Sequence, residues 1–474
     1  MTDQYQDTIV APATTPGTGA ISIVRLSGPK VFSIVDEVVQ LKSGTISESE
    51  AYRIHFGKVF YRGKLLDQVL VSVFRAPHSY TGEDAVEIST HASSYIVKEL
   101  VHLLLDAGAR VAEPGEFTRR AYLNGKMDLA QAEAVADVIA ATTAASHRVA
   151  MNQLKGGFSA ELSQLRGELL EMASLLELEL DFSEEDVEFA NREQLQALLQ
   201  QAQEHVEKLA ASFRQGNMIK NGVPVAIVGA ANAGKSTLLN ALLGEERAIV
   251  TDIPGTTRDT IEEALNLDGI LFRFIDTAGI RESSDAVEKL GIERSFRKLR
   301  EAEIVLGVLD MTSPESEVLN NLTFLLQQVH LADQKLVLLL NKVDIADEKL
   351  LNKNVTTINN EVLRLDKKVV IIKLSAKTET GLDTLRETLS SLEKDLVTDI
   401  NSTFVTNERH YEALKNAACA LSNCRTSLSR GIPSDLVAED LRLALSSINA
   451  ILGTDLLDPE AILHNIFKNH CIGK

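Results

Sequence analysis

The loop from Gly229 to Ser236 combines residue types and a spacing that could bind the phosphates of a nucleotide. Its sequence, GAANAGKS, fits the pattern G-x-x-x-x-G-K-[ST] and follows the apolar run VAIV. That order predicts a strand, a loop and the start of a helix, in which backbone N–H groups surround the phosphates. Lys235 would pair with the β- and γ-phosphates, and the hydroxyl of Ser236 would hold Mg²⁺.

Two further motifs end apolar runs that predict strands. Asp276-Thr-Ala-Gly279 could place a carboxylate near Mg²⁺, through a water molecule, and the N–H of Gly279 against the γ-phosphate. Asn341-Lys-Val-Asp344 could recognise the base. The carboxylate of Asp344 can accept two hydrogen bonds, from N1–H and the exocyclic amine of guanine, whereas adenine offers no such pair of donors. The motif therefore predicts a guanine nucleotide.

The remaining nucleotide contacts lie in two short segments. A backbone N–H within Ser375-Ala376-Lys377 could contact O6 of guanine. Of the adjacent Thr256 and Thr257, Thr257 is the more suitable to bind Mg²⁺ together with Ser236. Four motifs in this order, each at a strand end, predict a GTPase. The residues predicted to contact GTP are Asn232, Ala233, Gly234, Lys235, Ser236, Thr237, Thr251, Thr256, Thr257, Asp276, Thr277, Ala278, Gly279, Asn341, Lys342, Asp344, Ser375, Ala376 and Lys377.

One position departs from the usual hydrolytic machinery. In Ras-like proteins a glutamine follows the DTAG glycine and orients the attacking water. Here that position is Ile280, which cannot do so, and the next polar residues are Arg281 and Glu282. The sequence leaves two interpretations open for them, a role in positioning water or an exposed place in a loop.

The motifs belong to a stretch, residues 223–385, in which strand-like and helical patterns alternate. Its short apolar runs are typical of buried parallel strands and predict a doubly wound α/β domain. They are VPVAIVG, LFRFID, EIVLGVLD, KLVLLLN and KVVIIKLS.

The flanking segments predict different architecture. Before residue 120 the pattern is α+β, with a hairpin around Arg62-Gly63. Leucines spaced by three and four over residues 159–180, and a similar stripe that ends at Gly453, predict amphipathic helices. The simplest arrangement has the α/β domain inserted between two halves of one helical domain.

Composition limits the classes of protein. The chain has 474 residues, and 48 basic against 67 acidic side chains give a net charge of −19. Its overall field therefore does not favour nucleic acid, although a local basic patch could bind it. Residues 161–190 hold ten acids and one arginine, either a solvated face or a docking surface for a basic partner. Three cysteines, no signal segment and no long apolar run predict a cytoplasmic protein without a membrane span.

These features together resemble a known family, the bacterial tRNA-modification GTPases called MnmE or TrmE. The resemblance rests on the GTP motifs, TDIPGTTRD (251–259), DTAGIRE (276–282), PGEFTRRAYLNGKMDLAQAEAVADVI (114–139) and the C-terminal CIGK (471–474). One departure is Ala231, where the family usually has proline. The family implies an N-terminal folate-binding and dimerisation domain over 1–120, a helical domain over 121–217 and 391–474, and a G domain over 218–390.

The resemblance also implies how hydrolysis is activated. The G domains of a homodimer approach each other when GTP binds, and K⁺ fills the place of an arginine finger. By motif match, K⁺ would be held by Asn232, Thr251, Ile253 and Thr256, mostly through carbonyls. Glu282 matches the acidic residue that orients the catalytic water, the function that Ile280 cannot perform.

The family implies a substrate and a partner as well. With an FAD-containing protein, MnmG, in a heterotetramer, it attaches an aminomethyl or carboxymethylaminomethyl group to the wobble uridine of tRNA. The carbon comes from 5-formyl- or 5,10-methylene-tetrahydrofolate. Arg25, Glu87, Lys126 and Lys474 match segments of the folate site, although without the resemblance each would be interpreted as a surface charge.

The cysteines and one competing function remain open at this point. Cys471 could be a nucleophile, a neighbour of the folate site or an inert tail residue, whereas Cys419 and Cys424 are predicted to be packing residues. The alternative function is a GTP-dependent switch in ribosome assembly, which the N-terminal segment and the CIGK tail disfavour.

Overall fold

The computed structural model describes residues 7–181, 192–244, 263–275, 299–365, 369–394, 403–454 and 473. The chain divides into two compact units. The first comprises Met1–Ile139, Gln153–Gln203 and Asn416–Lys474, and the second comprises Ala140–Asn152 and Glu204–Lys415. Among the described residues, no helix combines the length and apolarity that a membrane crossing needs. The predicted division into segments 1–120, 121–217, 218–390 and 391–474 stays a prediction.

The first unit begins with a seven-stranded sheet in the order β3-β4-β5-β6-β2-β1-β7. All pairs are antiparallel except β1 with β7. The strands are β1 (Ile9–Pro12), β2 (Ile21–Ser27), β3 (Val39–Leu41), β4 (Ile54–Tyr61), β5 (Lys64–Phe74), β6 (Ala85–His91) and β7 (Arg110–Val111). The predicted hairpin is present as β4 and β5, and Arg62 and Gly63 form its turn with positive φ angles of 51° and 76°.

Helices α1 (Val31–Val38) and α2 (Ser94–Asp106) cover one face of this sheet. Alternation along β5 explains why, because Val69, Val71 and Val73 are buried in the same core as the helices. Residues of opposite parity on β5 face away from that core. Near the β7 edge of the sheet the opposite face is buried as well, because Ile9 and Ala11 of β1 pack in a separate cluster with Ala112 and Phe117.

The helical part of the first unit joins segments from both ends of the chain. The helices that follow the sheet are α3 (Glu116–Leu123), α4 (Leu129–Ala140), α5 (Ala144–Leu154), α6 (Gly157–Asp181) and α7 (Arg192–Ala211), with α4, α5 and α7 reaching or crossing the boundary between the units. The predicted leucine stripe of α6 is buried, and Arg166 donates to Asn449 at 2.6 Å. Asn449 belongs to a late helix, Ser434–Leu452, which ends at Gly453 with a φ of 79°.

The second unit is a six-stranded sheet in the order β13-β12-β11-β8-β10-β9. Its strands are β8 (Val223–Gly229), β9 (Glu263–Leu267), β10 (Ile270–Ile275), β11 (Ile304–Asp310), β12 (Lys335–Asn341) and β13 (Val370–Lys373). The pairs are parallel except β9 with β10. All five predicted runs are strands, whereas the edge strand β9 was not predicted, although Asp268-Gly269 forms its hairpin turn.

Helices lie on both faces of this sheet and bury two separate apolar clusters. They are α8 (Phe213–Asn221), α9 (Lys235–Leu243), α10 (Glu315–Gln328), α11 (Glu348–Val362) and α12 (Leu382–Leu392). The last two described helices are α13 (Glu408–Ser429), which crosses the unit boundary, and α14 (Ser434–Leu452). The predicted doubly wound α/β fold and the multidomain α+β, helical and P-loop architecture are confirmed.

The cysteine prediction is half right. Cys424 is buried, and burial together with the charge of Asp440 raises the pKa of its thiol to about 12. Cys419 is exposed, so its interpretation as a packing residue is wrong. The reason is helical geometry, because a spacing of five residues turns two side chains about 140° apart.

Candidate functional site

The glycine-rich loop joins the end of β8 to the start of α9. Gly234 caps the helix with a φ of 97°, and Asn232 also has a positive φ, 60°. A Cβ atom at Gly229 would overlap the carbonyl of Val308, and one at Gly234 would overlap the amide of Asn341. Gly229 is therefore required by the close approach of another strand's backbone, and Gly234 by the neighbouring Asn341 side chain and by its positive φ angle. They leave the amino end of α9 open to an anion, which fits the phosphates of GTP.

Lys235 lies over this loop. Its ammonium donates to the carbonyls of Gly229 and Ala230, both at 2.9 Å. Ser236 and Thr237 follow in the first turn of α9, and both are exposed. A charged amine and a hydroxyl at a helix amino end are the groups that phosphates and Mg²⁺ require.

Asn341 connects three of the predicted motifs. Its buried side chain donates from Nδ2 to the carbonyl of Ala233 at 2.7 Å and accepts from the N–H of Ala376 at 3.0 Å. The structure therefore brings the glycine-rich loop, the Asn341–Asp344 segment and the Ser375–Lys377 segment together at the carboxyl ends of parallel strands. Ligands of doubly wound sheets bind at this edge.

The base-recognition residues differ in exposure. Asp344 and Lys377 are exposed, whereas Ser375 and Ala376 are buried. Ser375 accepts from the N–H of Thr378 through its hydroxyl at 3.2 Å, and its backbone N–H donates to the carbonyl of Thr380 at 3.0 Å. The loop is thus held from within, while the carboxylate of Asp344 is available to a ligand.

Several predicted residues lie outside the described part of the chain, so their roles stay predictions. They are Thr251, Ile253, Thr256, Thr257, Asp276, Thr277, Ala278, Gly279, Ile280, Arg281, Glu282, Cys471 and Lys474.

A second group of predicted residues meets in the first unit. Arg25 and Glu87 are register partners on β2 and β6, and the guanidinium contacts Oε1 of Glu87 at 2.8 and 2.9 Å. The same guanidinium lies 5.4 Å from the ring centre of Tyr80 and 5.7 Å from that of Phe117. Tyr80 and Phe117 were missed by the sequence analysis, although Phe117 belongs to the PGEFTRR motif that carried the resemblance.

The C-terminal motif reaches this group through its glycine. Arg25 donates to the carbonyl of Gly473 at 3.3 Å, and a Cβ atom on Gly473 would overlap the carbonyl of Pro12. Lys126, in contrast, donates to the carbonyl of Pro77 at 3.0 Å rather than to Glu87. A carboxylate, a guanidinium and an aromatic ring form a donor set that fits a flat heterocycle with carboxylates, as in a folate.

Tyr80 remains a hydrogen-bonding phenol in this environment. Burial raises its pKa, and the hydrogen bond with Thr118 and the charge of Arg25 offset this effect only in part. Its hydroxyl lies 2.8 Å from the hydroxyl of Thr118. About a third of Tyr80 is exposed, so its ring can still contact a ligand.

Comparison with known proteins decides the family. Residues 8–126 match the model of the GTP-binding protein TrmE N-terminus, and residues 129–471 match the model of the MnmE helical domain. The tRNA modification GTPase MnmE of Bacteroides fragilis is 47% identical over 473 residues, which span 99% of this chain and 100% of the relative. The chain belongs to the MnmE family of tRNA modification GTPases. The MnmE of Flavobacterium johnsoniae is also 47% identical, with 99% of both chains covered.

Membership of the MnmE family confirms the predicted resemblance and the prediction of a GTP hydrolase that acts in tRNA modification. A crystal structure of Era from Aquifex aeolicus is 27% identical over 42% of this chain and 66% of that chain. The TM-score of this match is 0.29.

Proposed function

We propose that this chain couples GTP hydrolysis to the modification of the wobble uridine in tRNA. An FAD-containing partner, MnmG, would share the reaction in a cytoplasmic heterotetramer, and 5-formyl- or 5,10-methylene-tetrahydrofolate would supply the carbon. The product would carry an aminomethyl or carboxymethylaminomethyl group at C5. The observation that carries this proposal is the contact of Gly473, in the C-terminal CIGK motif, with Arg25, which is 448 positions away in sequence.

The folate assignment rests on complementary chemistry. Glu87 could accept from the ring N3–H and amine of a pterin, and Arg25, Lys126 and Lys474 could pair with the folate carboxylates. Tyr80, which is partly exposed, adds an aromatic ring whose face lies against the guanidinium of Arg25. When bound, the folate supplies a one-carbon unit, whereas these side chains bind and orient it.

The cation assignment rests on the glycine-rich loop. Ser236 and Thr257 would hold Mg²⁺, which neutralises the phosphate charge. Asn232 is exposed in a left-handed conformation at the tip of the loop, so its side-chain oxygen is available to K⁺. Thr251, Ile253 and Thr256 would complete that site, and Glu282 would position the water.

The homodimer assignment has support in the sheet of the first unit. Phe56 and Leu70 are register partners on β4 and β5, and each is about half exposed. Ile54, Phe60 and Leu65 on the same hairpin are also exposed. The polar pair of Lys58 and Gln68 lies between the two groups of apolar residues on this face. Exposed apolar side chains flanked by polar ones are typical of an interface, and we propose a second copy of this chain as its occupant.

Nucleoside analysis of tRNA tests the proposed function. Cells that lack this gene should lose the modified wobble uridine, and the wild-type gene should restore it. Arg25→Ala should fail to restore it, whereas Arg53→Ala, which removes an exposed arginine paired with Glu50, should succeed. Unchanged nucleosides in the deletion strain would contradict the proposal, and accompanying defects in ribosomal subunits would favour the alternative of a ribosome-assembly switch.

A further inference from the structure

An ion pair at the carboxyl ends of β11 and β12 includes a residue outside the sequence motifs. Asp310 ends β11, and its Oδ2 lies 2.5 Å from Nζ of Lys342. Its Oδ1 accepts from the backbone N–H of Thr312 at 2.9 Å and from the hydroxyl of Thr312 at 2.6 Å. Both carboxylate oxygens are therefore engaged, one of them by the lysine next to Asn341.

We propose that Asp310 is a positioning residue for the guanine nucleotide and acts through Lys342. By holding the ammonium, Asp310 fixes the hydrocarbon stem of Lys342 along the place where the face of the base lies. The inference deepens the proposed function, because it rests on the assignment of Asn341–Asp344 to base recognition.

The backbone around the pair is closely defined. Asp310 and Asn341 are register partners in the parallel sheet, and the N–H of Met311 donates to the carbonyl of Asn341 at 3.1 Å. Lys342 follows with a φ of 65°, in the left-handed region that residues other than glycine rarely adopt. Backbone strain of this kind is concentrated at ligand-binding positions, which is consistent with a lysine placed for function.

The electrostatic environment strengthens the pair. The side chains of Asp310 and Lys342 are only 15% and 28% exposed, so water screens their attraction less than at the surface. Burial alone would raise the pKa of Asp310, but hydrogen bonds from Lys342 and Thr312 outweigh it and lower the pKa. The carboxylate thus stays charged, and the lysine has a fixed counter-charge at neutral pH.

Position separates this pair from two other ion pairs of the sheet. Glu303 precedes β11 and pairs with Arg214, and Lys335 begins β12 and pairs with Glu393. Those pairs lie at the amino ends of the strands, whereas Asp310–Lys342 lies at the carboxyl edge, where ligands bind. An ion pair that only held β11 and β12 together would be redundant there, because seven register pairs already join the two strands.

A double-mutant cycle on the full chain tests the inference, with GDP affinity measured by calorimetry in Mg²⁺ buffer. Asp310→Asn should weaken GDP binding about ten-fold, equivalent to about 1.4 kcal/mol. Lys342→Met keeps a hydrocarbon side chain of similar length but removes the ammonium charge. It should weaken GDP binding at least as much as Asp310→Asn does. If Asp310 acts through Lys342, the double variant should bind GDP as Lys342→Met does, because coupled residues are not additive.

The control is another carboxylate–lysine ion pair of the second unit, which joins helices α10 and α11. Glu315 accepts from Lys353 at 2.7 Å and from the hydroxyl of Thr357 at 2.6 Å, so Glu315→Gln removes a similar carboxylate and should leave GDP affinity unchanged. Thr312→Val is a milder second variant that serves if Asp310→Asn does not fold. It removes the hydroxyl that donates to Asp310 and is expected to weaken GDP binding about three-fold.

Two outcomes would overturn the inference. Additive losses in the double variant, or wild-type GDP affinity in both Asp310→Asn and Thr312→Val, would show that Asp310 does not act through Lys342. Failure of the site assignment itself is distinguishable, because Asp344→Asn would then leave the preference for guanine unchanged.

Discussion

Arg120 and Glu116, both fully buried, form an ion pair at 3.0 Å across one turn of α3. Arg120 also contacts Asp7 at 2.7 Å and Glu83 at 3.3 Å, and Arg110 contacts Glu116 at 2.6 Å. The PGEFTRR motif that marks the family therefore builds a charged network inside the first unit. Breaking a buried pair leaves an uncompensated charge, which makes this network sensitive to mutation and to acid.

We expect the stability of the first unit to fall in acid because of Glu116. Burial raises its pKa, but hydrogen bonds from Arg110 and Arg120 outweigh this effect and lower the pKa below its ordinary value of 4.5. A lowered pKa in the folded state stabilises the fold above pH 4.5, and this contribution is lost as the pH falls below it. Glu116→Gln should cost about 1.5–3 kcal/mol at pH 7, because it weakens hydrogen bonds to two charged arginines while Asp7 and Glu83 still compensate the charge of Arg120. It should also reduce the acid dependence, as measured by urea unfolding at several pH values. An acid dependence equal to that of the wild type would contradict this role.

Asp344 should determine the preference for guanine. Asp344→Asn should weaken GTP binding by more than about 100-fold, because two hydrogen bonds to a carboxylate contribute about 1.5–3 kcal/mol each and about 1.4 kcal/mol corresponds to about ten-fold. It should also strengthen binding of xanthosine triphosphate, since the amide can donate to the carbonyl that replaces the exocyclic amine. Competition between the two nucleotides measures this switch, and an unchanged preference for GTP would exclude the assignment.

Hydrolysis should depend on K⁺ and on Glu282. The turnover rate should rise steeply with KCl and stay low in NaCl at the same ionic strength, because the size of the cation site selects the ion. Glu282→Ala should bind GTP normally but hydrolyse it about ten-fold or more slowly, since proton-transfer and positioning groups contribute about 10²–10⁴-fold. Equal rates in both salts would exclude the cation mechanism. Wild-type turnover in Glu282→Ala would exclude a role of Glu282 in positioning the catalytic water.

The Arg25–Glu87 pair should be needed for folate but not for GTP. Arg25→Ala and Glu87→Ala should each weaken binding of 5-formyltetrahydrofolate about ten-fold or more, because each removes a charge-assisted hydrogen bond. GTP hydrolysis should stay at the wild-type rate in both. Calorimetry measures the affinity, with the exposed Arg53→Ala as control. Undiminished folate binding in both variants would refute this site.

The exposed face of β4 and β5 should mediate dimer formation. Phe56→Asp places a charge in the proposed apolar interface and should convert the dimer to monomers in sedimentation experiments. Phe324→Asp is the matched control, because Phe324 on α10 is similarly exposed, at 45% against 49% for Phe56. Dimers that persist in Phe56→Asp would show that the interface lies elsewhere.

The sequence was sufficient to predict those features whose residues are neighbours in the chain. The loop from Gly229 to Ser236 is contiguous, and a strand, two glycines and a helix amino end define it without distant partners. Apolar runs likewise predicted five strands of the second unit, because parallel strands buried on both faces consist almost entirely of apolar residues. The edge strand β9 was missed because the run EALNL is short and mixed in polarity.

Tertiary structure alone decided which distant side chains meet. Arg25 and Glu87 became partners through the register of β2 with β6, and Gly473 joined them from the opposite end of the chain. Asn341 met Ala233 and Ala376 in the same way, and Asp310 met Lys342, because parallel strands bring their carboxyl ends to one edge. Such contacts depend on sheet register and packing, which local periodicity does not encode, so sequence could name the residue types but not their partners.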